Sequence, residues 1–82
     1  MNTLQRSEQL GEILGRPVIT FTGNTNLRIE GHKGVTEYET AHVTVRLGKY
    51  NLRVEGVGLA ISSINSDCLT LTGEIQSVRF ES

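Results

Sequence analysis

From Val18 onward the chain alternates apolar and polar residues with a period of two. Ile19 and Phe21, Leu27 and Ile29, Val43 with Val45 and Leu47, Leu52 and Val54, Leu69 and Leu71, and Val78 and Phe80 each alternate with Thr, Arg or Glu. Successive side chains of an extended strand point to opposite faces, so this rhythm predicts half-buried strands with one face on a core. Gly23-Asn24, Gly31 to Gly34, Gly48-Lys49, Gly56 to Gly58, Asn65-Ser66-Asp67 and Gly73 separate the segments with residues that accept turn conformations. Connections this short favour antiparallel pairing. The expected fold is all-β, a small antiparallel β-sandwich or half-open barrel.

The amino-terminal segment follows a different period. Leu4, Leu10, Ile13 and Leu14 fall near helical spacing, with Ser7 as an N-cap, Gly15 as a stop and Pro17 beyond it. These features predict a short N-terminal helix over roughly residues 3–14. A helix of that length is marginal alone, so it should dock on the sheet or on a partner. The chain thus divides into a helix or arm over 1–15 and a single β domain over 16–82. A domain this small buries only about 60–65% of its unfolded surface, and its core must be thin.

Charge and cysteine content narrow the function. Eight Lys and Arg against nine Asp and Glu leave a net charge of −1, which provides no footprint for a phosphate backbone and argues against nucleic acid. The single cysteine, Cys68, has no partner for an intramolecular disulfide and no neighbours at zinc-ligand spacing. Beside the acidic Asp67 it reads as an inert side chain in a reducing compartment. No run approaches the roughly 18–20 apolar residues of a membrane span, and the first residues do not read as a signal peptide. A cytoplasmic protein without direct membrane insertion is expected.

Each candidate for chemistry has a plainer reading. Gly56-Val57-Gly58 would need a third glycine where Ile61 stands, so a bulge or tight turn replaces a dinucleotide loop. Glu30-Gly31-His32-Lys33-Gly34 is a polar turn whose carboxylate, exposed imidazole and ammonium could together meet a partner. His32 lacks the Ser or Cys and the orienting group that nucleophilic catalysis needs, and His42 reads as structural. Glu37 and Glu39 flank Tyr38 on a strand, and Glu74 stands alone, so no acid–base pair emerges. Glu30, His32, Lys33 and Tyr38 form the candidate partner-binding set; no catalytic residue, metal ligand or cofactor is expected. Arg28/Glu30, Arg53/Glu55 and Arg79/Glu81 each place opposite charges on one side of a strand. Set side by side they could form cross-strand ion pairs, either as a solvated face or as a self-assembly surface that keeps identical subunits in register.

Several of these stretches resemble one known family. Arg16-Pro17-Val18-Ile19-Thr20-Phe21-Thr22-Gly23-Asn24, Leu27-Arg28-Ile29-Glu30-Gly31-His32-Lys33-Gly34-Val35 and Glu37-Tyr38 are similar to the YabP/YqfC family of bacterial sporulation proteins, nearest its YqfC branch. The resemblance continues through Leu47-Gly48, Leu52-Arg53-Val54-Glu55-Gly56, Leu59-Ala60-Ile61 and the ending Leu69 to Phe80. It implies a non-enzymatic protein of the mother-cell cytoplasm that acts by protein–protein contact in endospore assembly or envelope maturation. It also implies a membrane-bound YqfD-type sporulation protein as partner; a homo-oligomer is the other partner expectation, from the Arg/Glu face and the strand edges. The alternative is a cell-wall saccharide-binding module using Tyr38 and Tyr50 as a platform; a small hydrolase would need a pair of carboxylates across a cleft.

Overall fold

The computed structural model describes residues 16–82. They form six strands, β1 (Val18–Thr22), β2 (Asn26–Glu30), β3 (Gly34–Tyr38), β4 (His42–Arg46), β5 (Asn51–Ile64) and β6 (Cys68–Glu81). All neighbours are antiparallel, in one sheet of order β1-β2-β6-β5-β4-β3. The all-β expectation holds. Rather than two separate sheets or a closed barrel, the strands make one continuous open sheet. The expected helix near residues 3–14 lies outside the described residues.

The sheet wraps a core because its two longest strands bend. β5 and β6 are each 14 residues long. Their pairing is regular from Asn51↔Glu81 to Glu55↔Ser77, then slips between Glu55 and Gly56, between Val57 and Ala60, and between Ile61 and Ser63. Such bulges kink strands and sharpen their twist. One wing therefore consists of β1, β2, the start of β6 and the end of β5; the other consists of β3, β4, the start of β5 and the end of β6. Gly56 and Gly73 were expected to end strands, yet both lie inside them. A Cβ at Gly56 would overlap the backbone carbonyl of Glu74, and one at Gly73 would sit 2.6 Å from the carbonyl oxygen of Gly58. Glycine at these places allows two backbones to pass closely where the sheet turns over.

Register assembles the alternating residues into apolar rows four strands wide. Across the first wing run Ile19, Ile29, Leu69 and Ile64, then Phe21, Leu27, Leu71 and Ile61. Across the second run Tyr38, Val43, Val54 and Val78, then Val35, Val45, Leu52 and Phe80. The two central residues of every row are fully buried, and together with Leu47, Leu59 and Ile75 they form one cluster. The inner faces of the wings thus share a single core. Row ends differ: Ile19, Ile61, Val35 and Val78 pack against the cluster, while Ile64, Phe21, Tyr38 and Phe80 stay half exposed or more. The exposed ends are diagonally opposite corners of each wing.

Candidate functional site

The β2–β3 turn joins the wings and is held by bonds from both. Gly31 N donates to Asp67 O (2.8 Å), and Lys33 N donates to Arg46 O (2.7 Å). Between them the His32 side chain turns inward, 8% exposed, with its Nε2 2.8 Å from Asn65 O. A carbonyl accepts, so this nitrogen carries the proton, and Nδ1 is left buried without a partner. The imidazole expected at the surface is therefore a buried tie between the turn and the β5–β6 hairpin. Asn65 also caps that hairpin: its Oδ1 accepts from Asp67 N (2.8 Å) and Cys68 N (2.9 Å). The sequence marked Asn65 only as turn punctuation, and its link to His32 spans 33 residues, which no local pattern displays.

Glu30 and Lys33 remain exposed on either side of this fixed turn. Glu30 faces Arg28 at 4.0 Å, both half exposed, and helps to line an open groove of about 720 Å³ with Arg28, Gly31, Asp67 and Cys68. Tyr38 is not part of that cluster. It ends β3, four strand positions from Gly34 and so roughly 13 Å away. Its hydroxyl accepts from Ile61 N (3.0 Å), strapping the edge of one wing to the edge of the other. Tyr50 lies beyond the other end of β4, where Asn51 pairs with Arg46, and meets Phe80 edge-on with ring centroids 5.3 Å apart. The two tyrosines do not share one platform.

The outer face of the second wing carries the charge network. Glu37 Oε1 accepts from Thr44 Oγ1 (3.0 Å) and Arg53 Nη1 (3.5 Å). Arg53 Nε donates to Glu55 Oε2 (3.2 Å), and Ser77 Oγ donates to Glu55 Oε1 (3.1 Å). The Ser77 hydroxyl first, then Arg53, holds the Glu55 carboxyl below the ordinary carboxylate range. His42 Nε2 lies 3.1 Å from Glu39 Oε2 and 3.9 Å from Glu37 Oε2. The Arg/Glu pairs bond mainly along their own strands, at 4.0 Å for Arg28–Glu30, 3.2 Å for Arg53–Glu55 and 3.3 Å for Arg79–Glu81. Arg53–Glu37 is the cross-strand exception, at 3.5 Å. Direct cross-strand pairing fails between β5 and β6 because the register sets Arg53 against Arg79.

Among the described residues no group of three or more His, Cys, Asp or Glu side chains is arranged to hold a metal, and no helix is long and apolar enough to cross a membrane. No curated protein and no solved structure matches the chain. The model of the YabP family matches residues 15–82, which takes in all six strands of the described residues, the bend glycines and the His32 turn. The chain belongs to the YabP family.

Proposed function

We propose that this protein is a non-enzymatic sporulation factor of the mother-cell cytoplasm that works by protein–protein contact in endospore assembly or envelope maturation. Membership of the YabP family is consistent with a sporulation-related role. The observation that carries the contact reading is the turn at residues 30–33: two backbone bonds and the His32–Asn65 bond fix it from below, while Glu30 and Lys33 face outward. A fixed turn loses little freedom on binding, so its two opposite charges can orient a partner cheaply. Tyr38, at a second position, adds an aromatic contact whose hydroxyl is already oriented by Ile61. The resemblance of the chain as a whole to the YqfC branch, from which Gly31 in this turn departs, makes a membrane-bound YqfD-type protein the partner to test.

The full chain should co-purify with that membrane protein from sporulating cells. Glu30→Ala with Lys33→Ala should keep the melting temperature and lose both co-purification and spore yield. Equal capture by the double variant would overturn the role of the turn.

A further inference from the structure

The strand order and the unequal strand lengths leave four open stretches of edge among the described residues, and each exposed apolar corner marks one of them. They are β1 with Phe21, β3 with Tyr38, the end of β5 with Ile64 and the end of β6 with Phe80. Unpaired strand edges are templates for another strand, so proteins normally guard them. β3 is guarded by a register irregularity between Val35 and Glu37 and by the acidic Glu37 and Glu39. The end of β5 is guarded by the slip near Ser63 and by the Tyr38 hydroxyl on Ile61 N. β1 is neutral and has no charge to select a register. Residues 77–81 of β6 differ from all three. Their pairing to β5 is regular, Phe80 is 62% exposed, and Arg79 and Glu81 flank it on the opposite face.

An Arg and a Glu two residues apart form the smallest self-complementary unit for antiparallel pairing about a two-fold axis. With Phe80 on the axis, Arg79 lies opposite Glu81 of the second copy, and Glu81 lies opposite its Arg79. The two Phe80 rings then meet on the other face, each backed by Tyr50 of its own chain at 5.3 Å. We propose that the β6 edge at residues 78–82 is a homodimer interface in which a second copy of this chain pairs antiparallel, centred on Phe80. This names the partner within the protein-contact reading and rests on it, but uses a surface separate from the Glu30/Lys33 turn.

The test is a charge exchange on the full chain, read by sedimentation across a concentration series. Wild type should form a concentration-dependent dimer. R79E alone sets Glu against Glu across the axis and E81R alone sets Arg against Arg, so each should be monomeric, with a dissociation constant raised at least tenfold. The double variant R79E/E81R should dimerise again. An equimolar mixture of the two single variants should form a heterodimer, because one chain then offers two Glu residues and the other two Arg. Melting curves check that every variant folds; both positions are substantially exposed. A wild type that stays monomeric at all concentrations, or single variants that dimerise as well as wild type, would overturn the proposal. Dimerisation that persists in the Glu30/Lys33 variant, with membrane-partner capture lost, separates this interface from the turn.

Discussion

Replacing Gly56 by Ala tests whether the bend depends on close backbone passage. Gly56 is absent from the positive-φ glycines, so alanine meets no backbone penalty there. In an ordinary strand the exchange would stabilise by about 0.5–1 kcal/mol, because glycine loses more freedom on folding. Here the new methyl overlaps the Glu74 carbonyl and reaches 3.1 Å from Leu59 Cδ2. Overpacking costs roughly 1–3 kcal/mol, and an obstacle of backbone, unlike a side-chain tip, cannot rotate away, so a loss of about 3 kcal/mol is expected. Against a total of about 4–12 kcal/mol for a domain of this size, that lowers the melting temperature by roughly 12–24 °C. Gly58→Ala is the control: its φ is 61° with nothing within 4 Å of the added carbon, so only the left-handed backbone is penalised, by about 1–2 kcal/mol. Thermal melts by circular dichroism, with urea titration to confirm an unchanged m-value, rank the two. If Gly56→Ala melts within about 4 °C of wild type, or above Gly58→Ala, close passage at the bend is wrong.

Ile29→Ala and Val54→Ala each truncate a fully buried residue at the centre of an apolar row and should cost about 2–4 kcal/mol in urea unfolding. His32→Ala should cost about 1–3 kcal/mol by leaving Asn65 O without its donor, whereas Lys33→Ala should leave the melting temperature unchanged within error. Glu55 has a folded pKa below its unfolded value, so its contribution is present above the unfolded carboxylate range and disappears as pH falls through the folded pKa. Titration by NMR should show Glu55 protonating at lower pH than an unperturbed glutamate, and Ser77→Ala should move it upward; no movement would remove the hydroxyl as the main cause.

The two-residue rhythm identified five of the six strands as apolar alternations and the inner face of each, because one-sided burial writes itself directly into sequence at that period. β3 was less legible: the register slip between Val35 and Glu37 takes Tyr38 out of simple alternation with Val35. Gly56 and Gly73 looked like strand ends, since local sequence does not display the carbonyl that another strand brings close. Burial of His32 was equally hidden, because its partner Asn65 comes from a distant hairpin. Phe21 and Phe80 carry the correct phase for the core and still emerge at the surface, since alternation specifies a face but says nothing about where the opposite wing stops covering it. Along the candidate site, the charges of Glu30 and Lys33 were readable as exposed, while the bonds that hold their turn were not.

The long β5–β6 hairpin that carries both wings of the core also outruns its neighbours and leaves an edge on β6. β2 pairs only with residues 68–72 of β6 and β4 only with residues 51–55 of β5, so the last third of β6 has β5 on one side and an open edge on the other, beside a corner phenylalanine. The charges on that edge act as a filter on register. Sliding the second copy to centre on Arg79 sets Arg79 against Arg79, and centring on Glu81 sets Glu81 against Glu81. A shift by a single residue turns the apolar face of one copy toward the polar face of the other. Pairing about Phe80 satisfies both charges and both rings together, so the same Arg–Glu spacing that discourages open-ended stacking of strands admits one closed, two-fold pair.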